Sequence, residues 1–399
     1  MSEPVLQLAT PQPASSPEPP LQFLGQLNLF TGELESLPIE VPDPPQPGEI
    51  QVDDGITLIK SEDNSQLLLS GFGLFLRKKS ERLLVRKGDK LLYQFPFFRL
   101  NEVVIASRGI GFSSDLIEEL CERGVRISFL DSRGQPYAML TSPMLTATVQ
   151  ARREQLLAFS DTRGLMFAKA IVGGKIANQE RLLRYFGKHV KKAAPDRFVT
   201  IEQTAKVLKE QRAKVATIEG NCIDDVRASL MGIEGMAGKL YWDGVRTIIG
   251  QRVEFFGREH RGAVDAVNSL LNYGYGVLYS QVWGAVLNAG LEPFAGFLHV
   301  DRPGKPSLVL DLVEEFRQPV VDRAVIAHLN LGEEIKLSQG MLETETRKLL
   351  VSRILERLQS TELYQGKRYQ VRSIIQMQAR RLASSLRGDA IYKAFAFKW

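Results

Sequence analysis

The spacing of apolar residues divides this chain of 399 residues into regions of different pattern. From about residue 56 to 144, short apolar runs alternate with turn residues, which predicts the β-strands QLLLSGFGLFLRKK, RLLVRKGDKLLYQF and NEVVIAS. One amphipathic stretch in this region, SSDLIEELCERG, predicts a short helix that ends at Gly124. From about residue 145 to 385, apolar residues recur three and four positions apart, which predicts helices.

The first 60 residues follow neither pattern. They contain 11 of the 19 prolines of the chain, and proline cannot donate a backbone hydrogen bond to a helix or strand. We therefore expect residues 1–55 to be a disordered, acidic, proline-rich extension. The sequence predicts an α+β fold in which this extension precedes a small β-rich domain at 56–144, a larger all-α domain at 145–385 and a C-terminal tail at 386–399.

The composition excludes several classes of protein. No apolar run approaches the roughly 18–20 residues that a membrane-spanning helix needs, so no membrane association is expected. The first 20 residues lack the basic and apolar regions of a signal peptide. The two cysteines, Cys121 and Cys222, are too few for a disulfide scaffold or a cysteine-based zinc site. A reducing, cytoplasmic location is therefore expected.

The net charge of +5 conceals two regions of opposite sign. Residues 1–60 carry nine acids and one base, a charge of −8, so the other 339 residues carry +13. A region of that charge favours a polyanionic partner such as nucleic acid, because each neutralised phosphate releases condensed counterions. The basic stretches 151–197 and 341–399 are candidate contacts with such a backbone, although the same charge would also serve solubility alone.

The motifs of several enzyme classes are missing from the sequence. Gly173-Gly174-Lys175 is followed by Ile176 and is not a phosphate-binding loop of the P-loop kind. The chain contains neither an HExxH nor a GxSxG motif. Nucleoside triphosphate hydrolysis, zinc-dependent proteolysis and α/β-hydrolase chemistry are therefore not indicated.

Candidate metal ligands lie in three separate segments. His299 follows the apolar run AGFL and precedes the polar loop VDRPGKP, where one helix is expected to end. In the helix predicted after that loop, Asp311 and Glu314 are three residues apart and share a face, and Glu315 lies four residues from Asp311. Glu234 lies in the glycine-rich run GIEGMAG, where small residues allow a ligand or another backbone to approach closely.

Carboxylates with one imidazole suit Mg²⁺ or Mn²⁺ and leave coordination positions open for water and phosphate oxygens. Simpler interpretations of the same residues remain open. The acids of the predicted helix would pair with Arg317 and Arg323 on an ordinary amphipathic helix. Glu234 would be an acid at the start of a helix, where the helix dipole favours a negative charge.

Four blocks around these residues form a series in the chain. They are GIEGMAGKLYW around Glu234, AVNSLLNYGYGVLY at 266–279, AGLEPFAGFLH ending at His299, and GKPSLVLDLVEEFR at 304–317. In this order they resemble the CRISPR-associated integrase of spacer acquisition, and the resemblance extends from about residue 66 to 385. It departs before the second block, where many relatives have a proline-rich DPVN-type run and this chain has Arg261-Gly-Ala-Val-Asp265-Ala-Val-Asn268.

The resemblance implies an activity and a set of functional residues. Glu234, His299 and Glu314 would bind a Mg²⁺ or Mn²⁺ ion, and Asp311 would be a fourth catalytic residue. The all-α domain would then be the catalytic domain of a metal-dependent DNA endonuclease and integrase. In the integration reaction, the 3′-hydroxyl of a prespacer duplex attacks a phosphodiester at the repeat of a CRISPR array. The residues expected to contact DNA are Tyr279, Arg302 and Lys305.

The resemblance also implies partners. They are DNA, a second copy of the chain and a small ferredoxin-like CRISPR adaptation protein, and the β-rich domain is the expected site of dimerisation. Two other functions remain open. One is a structure-selective, metal-dependent DNA nuclease in repair, which would use the same residues. The other is a non-catalytic DNA-binding scaffold, whose acids would only stabilise helices.

Overall fold

A computed structural model describes residues 65–142, 149–250, 253–259, 265–338 and 340–398, together with the segments 26–27, 34–35, 50–53 and 55–60. The chain divides into two compact units, residues 1–46 and 47–399. In the first unit, strands β1 (Gln26–Leu27) and β2 (Leu34–Glu35) pair antiparallel. The remainder of the acidic, proline-rich extension that was predicted to be disordered lies outside the described residues, apart from 50–53 and Gly55.

The second unit begins with the β-rich domain that the apolar spacing predicts. Its strands are β3 (Ile50–Asp53), β4 (Ile56–Lys60), β5 (Ser65–Leu69), β6 (Leu74–Lys79), β7 (Arg82–Lys87), β8 (Lys90–Pro96), β9 (Leu100–Ile105), β10 (Gly111–Phe112), β11 (Arg126–Leu130) and β12 (Pro136–Leu140). The helix α1 (Ser114–Glu122) lies between β10 and β11. Gly124 follows it with a φ of 68°, a left-handed conformation that suits glycine at the end of a helix.

The described strands form two sheets in this domain. One has the order β10-β6-β7-β8, and the other has the order β12-β11-β9-β5-β4-β3. Apolar residues of both sheets pack with Leu116 and Leu120 of α1 in a common core. The edge strand β3 pairs with β4, so the second sheet begins a few residues earlier than the sequence pattern predicts.

Helices dominate the chain after residue 148, which confirms the predicted α+β fold. They are α2 (Val149–Ala158), α3 (Thr162–Val190), α4 (Pro195–Ala216), α5 (Ile223–Ile249), α6 (Ala266–Asn288), α7 (Ser307–Val313), α8 (Arg323–Asn330), α9 (Thr344–Gln359) and α10 (Val371–Leu386). Within the described part of the chain, every helix is too short or too polar to traverse a lipid bilayer.

The helical domain departs from the sequence pattern at three places. The helix expected from Ser307 onward is divided into α7, a π-helical segment at Arg317–Asp322 and α8, and this segment contains Pro319, which has no backbone N–H. Two short hairpins also occur, β13 (Leu337–Ser338) with β14 (Met341–Leu342), and β15 (Thr361–Tyr364) with β16 (Lys367–Gln370). Gln365 and Gly366 form the turn of the second hairpin with φ of 50° and 85°.

The segment after α10 is part of the helical core, although the sequence suggests only a tail. Phe395 and Phe397 are buried. The backbone N–H of Phe397 donates to Asn178 Oδ1 at 3.0 Å, and Asn178 Nδ2 donates to the carbonyl of Phe395 at 3.0 Å. These bonds join the end of the chain to the middle of α3.

The two domains of the second unit meet at α6. Gly134 lies in the turn before β12 with a φ of 78°, and its carbonyl packs against Gly276 of α6. Glu102 of β9, which is buried, accepts a hydrogen bond from Gln281 of α6 at 2.7 Å. The β-rich domain therefore packs directly against one of the helices that form the candidate site.

Candidate functional site

The predicted metal ligands converge on one cleft in the helical domain. The cleft has a volume of about 800 Å³ and is lined by α3, α5, α6, α7 and the loops that precede α6 and α7. Glu234, His299 and Glu314 all line it. The same three residues line a neighbouring cavity of about 20 Å³. The fold therefore brings together residues that the sequence places in three separate segments.

Glu234 lies in the middle of α5, as the twelfth residue of this 27-residue helix. Its interpretation as an acid at the start of a helix is therefore wrong. Added Cβ atoms at Gly232, Gly235 and Gly238 would meet no other atom within 4 Å, so these glycines do not accommodate another part of the described chain. Gly235 and Gly238 line the cleft, where they leave one face of α5 open beside Glu234.

A lysine stands between two of the predicted ligands. Lys175 of α3 is buried, and its ammonium group forms a close ion pair with Glu234 Oε1. The same Nζ lies 2.7 Å from Glu314 Oε2. Burial alone would lower the pKa of Lys175, but the charges of Glu314 and Glu234 outweigh it and raise the pKa. The two carboxylates thus already hold a positive charge between them.

Glu314 is the most enclosed of the predicted ligands. Its other oxygen, Oε1, lies 3.2 Å from Arg317 Nη1. Burial by itself would raise the pKa of the Glu314 carboxyl, but the charges of Arg317 and Lys175 prevail and hold the pKa at about 2. Glu314 is therefore ionised throughout the physiological range and can act as an anionic ligand. The expected pairing of this acid with Arg317 is confirmed, whereas Arg323 pairs with Glu362.

Asp311 faces away from the two glutamates and organises the loop that carries His299. Its carboxylate is fully buried and accepts hydrogen bonds from the backbone N–H groups of Phe297, Leu298 and His299 at 2.7, 3.0 and 2.9 Å. Asp311 Oδ1 also lies 2.7 Å from His299 Nδ1. This arrangement leaves Nε2 as the imidazole nitrogen that is available to a metal.

The third acid of this group, Glu315, contacts α10 and the segment that follows it. Its carboxylate contacts the Tyr392 hydroxyl and accepts hydrogen bonds from Gln378 Nε2 and the Phe395 backbone N–H, both at 2.7 Å. Burial raises the pKa of Glu315 to about 7, and these hydrogen bonds oppose the rise. Three acids within five residues therefore have three different environments, and only Glu314 enters the cleft.

The cleft carries an excess of positive charge. Six bases and three acids line it, the bases being Lys175, Lys239, Arg246, Arg258, Lys305 and Arg317. The guanidinium groups of Arg258 and Arg317 lie 5.3 and 4.8 Å from the ring centroid of Tyr275. The Tyr275 hydroxyl donates to Asp322, a buried acid that also accepts from Tyr241 at 2.7 Å. A fixed, basic wall of this kind suits an anionic ligand.

The residues predicted to contact DNA are not all at the cleft. Lys305 lines it. Arg302 does not line it, but its carbonyl accepts from the Lys305 backbone N–H at 2.9 Å in the turn at Gly304, which has a φ of 73°. Tyr279 packs against Trp283, and the tyrosine of α6 that lines the cleft is Tyr275, one turn earlier.

Lys175 belongs to the site, but the sequence pattern around it indicates only that it does not lie in a phosphate-binding loop. An available signal was the series of polar residues inside the otherwise apolar pattern of α3, namely Lys175, Asn178, Gln179 and Glu180, all of which are buried. Among the other histidines, His328 is buried and His189 is exposed, whereas His260 lies outside the described residues.

The spacing of the side chains in the cleft bears on the metal ion that the sequence suggests. Among the described residues, no three side chains of His, Cys, Asp or Glu are close enough together to hold a metal ion. Lys175 explains this spacing, because its ammonium group lies between Glu234 and Glu314. The two carboxylates of Glu234 and Glu314, beside the imidazole of His299, form a donor set that suits Mg²⁺ or Mn²⁺.

Comparisons with known proteins show which family the chain belongs to. Residues 67–356 match the family model of the CRISPR associated protein Cas1. A CRISPR-associated endonuclease Cas1 from Francisella tularensis subsp. novicida is 37% identical over 84% of this chain and 99% of its own length. Another from Archaeoglobus fulgidus is 37% identical over 84% of this chain and 100% of its own length.

Two solved structures share the fold. A casposase bound to an integration product aligns with a TM-score of 0.70 and 24% identity, covering 83% of this chain and 93% of that one. A chain of a Cas6-RT-Cas1–Cas2 complex aligns with a TM-score of 0.66 and 22% identity, covering 84% of this chain and 36% of that one. The family model and the two relatives identify the chain as a member of the Cas1 family of CRISPR-associated proteins.

Proposed function

We propose that this protein is a metal-dependent DNA endonuclease and integrase that inserts prespacer DNA into a CRISPR array. The observation that carries the proposal is the Lys175 ammonium group held between Glu234 and Glu314, in a cleft that His299 also lines. Two buried or half-buried carboxylates that face each other need a cation, and during catalysis a divalent ion would take that place. The relatives named as Cas1 endonucleases support a nuclease activity.

Three residues would hold the ion. Glu234 and Glu314 would supply carboxylate oxygens, and His299 would supply Nε2 while Asp311 fixes the orientation of the ring through Nδ1. When bound, Mg²⁺ or Mn²⁺ supplies Lewis acidity for a phosphoryl oxygen and for the departing 3′ oxygen. In this scheme Asp311 is a positioning residue, since its oxygens are occupied by the loop at 297–299.

Lys175 would have to leave the space between the two glutamates when a metal ion binds. Its Nζ contacts Glu234 and lies 2.7 Å from Glu314 Oε2, so it competes for two of the three proposed ligands. The lysine side chain has rotatable bonds that allow the ammonium group to move along the cleft. Lys175 would then neutralise the carboxylates when the metal is absent and face the DNA backbone when it is present.

The basic residues of the cleft would hold the DNA backbone. The Nε atoms of Arg258 and Arg317 are buried and have no hydrogen-bond partner within the described residues. Both guanidinium groups are fixed against Tyr275, so they would meet a phosphate with little loss of side-chain freedom. Lys305 would add a third contact from the opposite loop. Such contacts position DNA without reading its sequence.

The proposed reaction is a transesterification. The 3′-hydroxyl of the prespacer attacks the phosphorus at the 5′ end of a repeat strand and forms a new phosphodiester. The bond from this phosphorus to the 3′ oxygen of the adjoining DNA breaks, and that oxygen takes up a proton and leaves as a 3′-hydroxyl. We also propose that the protein acts in the cytoplasm as a homodimer with a small ferredoxin-like adaptation protein. A structural neighbour described as a Cas6-RT-Cas1–Cas2 complex supports a partner of that kind.

Strand transfer by the purified protein tests this function. The protein and its partner are incubated with a labelled prespacer duplex and a supercoiled plasmid that carries the repeat, with Mn²⁺ or with EDTA. We expect labelled plasmid only with Mn²⁺, and none from Glu234→Gln. Asp224→Asn is the matched control, because Asp224 lies on the same helix but is exposed and outside the cleft.

Other results would favour another function. Metal-dependent cutting of branched or single-stranded DNA without joining would favour a structure-selective repair nuclease. Binding of DNA without any metal-dependent chemistry, from a folded protein with its partner present, would favour a scaffold. A Glu234→Gln protein as active as the wild type would contradict the proposed metal site itself.

A further inference from the structure

A second polar cavity lies on another part of the molecule. It has a volume of about 620 Å³ and is bounded by β9, the loop before β11, α6, the β15–β16 hairpin and the start of α10. This volume falls within the range of small-molecule sites. The cavity shares no lining residue with the catalytic cleft. Its chemistry can therefore be considered separately from the proposed metal site.

The one acid that lines this cavity, Glu102, already has hydrogen-bond partners within the described residues. Glu102 is buried, and its carboxylate accepts hydrogen bonds from Gln66, Gln281 and Ser128 at 2.8, 2.7 and 3.2 Å. Arg126 Nη2 lies 3.4 Å from Glu102 Oε1. These partners occupy both carboxylate oxygens. Glu102 therefore compensates the charge of Arg126 and has little capacity left for another cation.

Arg126 packs against Gly284 of α6. An added Cβ atom at Gly284 would lie 1.2 Å from Arg126 Nη1, so a larger residue at this position would displace the guanidinium group. A second arginine at the cavity, Arg123, is paired with Glu119 and with Glu81. Both of these arginines thus have a carboxylate partner.

Two further arginines line the same cavity. In the part of the chain that the structure describes, Arg368 and Arg372 line the cavity and form no ion pair with a carboxylate. Arg372 is half-buried, and its Nε donates to Gln370 Oε1 at 2.9 Å. Burial lowers the pKa of the Arg372 guanidinium, and the more distant charge of Glu102 opposes this only in part. A half-buried guanidinium without a counterion is costly unless an anion binds beside it.

From these charges we infer that the cavity binds a phosphomonoester. Two uncompensated guanidinium groups match the charge of about −1.5 to −2 that a phosphomonoester carries at neutral pH, whereas a carboxylate or a phosphodiester would neutralise only one of them. The forked guanidinium donors also fit phosphate oxygens in pairs. The phosphate can belong to a free nucleoside monophosphate or to the 5′ end of a nucleic acid strand. No bond is made or broken at this site.

Binding measurements on the full chain test the inference. The probes are inorganic phosphate, adenosine 5′-monophosphate, adenosine, and two oligonucleotides of one sequence with a 5′-phosphate or a 5′-hydroxyl. Isothermal titration calorimetry is carried out without divalent metal, so that failure of the proposed catalytic function does not affect the result. The variants are Arg372→Gln and Arg368→Gln. The control is Arg380→Gln, an exposed arginine of the same helix as Arg372 that lies outside the cavity.

We expect each of the two variants to weaken phosphate binding roughly tenfold or more, and Arg380→Gln to leave it unchanged. Binding of adenosine 5′-monophosphate but not adenosine would identify a free nucleotide. A preference for the 5′-phosphorylated strand without binding of the nucleotide would identify a nucleic acid end. The inference would be overturned if no probe bound at millimolar concentration, or if Arg372→Gln bound phosphate as tightly as the wild type. It would also be overturned if adenosine 5′-monophosphate bound no better than adenosine and the two oligonucleotides also bound equally. Arg368 is exposed, so Arg368→Gln tests the site even if Arg372→Gln fails to fold.

Discussion

Asp311 and His299 are joined through both the backbone and the side chain. Asp311 Oδ1 accepts the His299 backbone N–H at 2.9 Å and lies 2.7 Å from the imidazole Nδ1 of the same residue. The second oxygen, Oδ2, accepts from Phe297 and Leu298. One buried carboxylate therefore fixes both the position and the ring orientation of a proposed metal ligand.

Replacing Asp311 by Asn is expected to weaken both the fold and metal binding. The Asn amide directs an NH₂ group at backbone donors that need an acceptor, which should lower the free energy of unfolding by about 2–4 kcal/mol. Loss of the partner of the His299 ring should also weaken Mn²⁺ binding about 10- to 100-fold. Urea denaturation and calorimetry measure the two effects. Asp224→Asn should stay within about 0.5 kcal/mol of the wild type, and an equally stable Asp311→Asn protein would refute this role.

Replacing Lys175 by Met is expected to tighten metal binding. The substitution keeps an unbranched side chain that is one atom shorter, and it removes the cation that competes for Glu234 and Glu314. We expect Mn²⁺ affinity to rise about tenfold or more. In EDTA, the variant should lose about 3 kcal/mol of stability, because Glu314 is left buried without this partner.

The control for this experiment is Lys188→Met, an exposed lysine near the end of the same helix. Its Mn²⁺ affinity and its stability in EDTA should match those of the wild type. If Lys175→Met binds Mn²⁺ no more tightly than Lys188→Met, Lys175 does not compete with the metal ion.

Much of the architecture follows from the sequence because local spacing determines it. The strand and helix periods predict the two domains, and α6 and α9 lie where the apolar residues recur at helical intervals. The spacing of residues could not by itself predict which acid of the group at 311–315 enters the cleft, and only the family resemblance singled out Glu314 as a ligand. Asp311 contacts the loop that carries His299, Glu314 contacts Lys175, and Glu315 contacts the segment after α10. Each of these partners comes from another segment of the chain. Lys175 was missed for the same reason.

Stability is expected to fall on mild acidification because of His328. This residue is buried in α8, and its Nδ1 lies 2.7 Å from Arg353 Nη1 and 3.0 Å from Glu333. Burial and the charge of Arg353 lower the pKa of His328 below 6.5, and Glu333 opposes this in part. The unfolded chain therefore binds a proton more readily, so stability that is present above pH 6.5 is lost as the pH falls.

Unfolding free energies of the wild type and His328→Gln between pH 7.5 and 5 measure this contribution. The loss of stability should be smaller in His328→Gln than in the wild type. His189→Gln changes an exposed histidine and should lose as much stability as the wild type does. Identical pH profiles for the wild type and His328→Gln would show that His328 does not titrate in this range.

The contact of Gly134 with Gly276 is expected to be essential for packing of the two domains. An added Cβ atom at Gly276 would lie 1.8 Å from the carbonyl oxygen of Gly134, so the backbone of the turn or of α6 would have to move. Gly276→Ala should therefore destabilise the protein by about 3 kcal/mol or more, as measured by urea denaturation. Gly232→Ala is the matched control, since it also lies within a helix but an added Cβ there meets nothing within 4 Å. Because alanine is the better helix former, Gly232→Ala should gain about 0.5–1 kcal/mol, and equal effects of the two substitutions would contradict the close approach at α6.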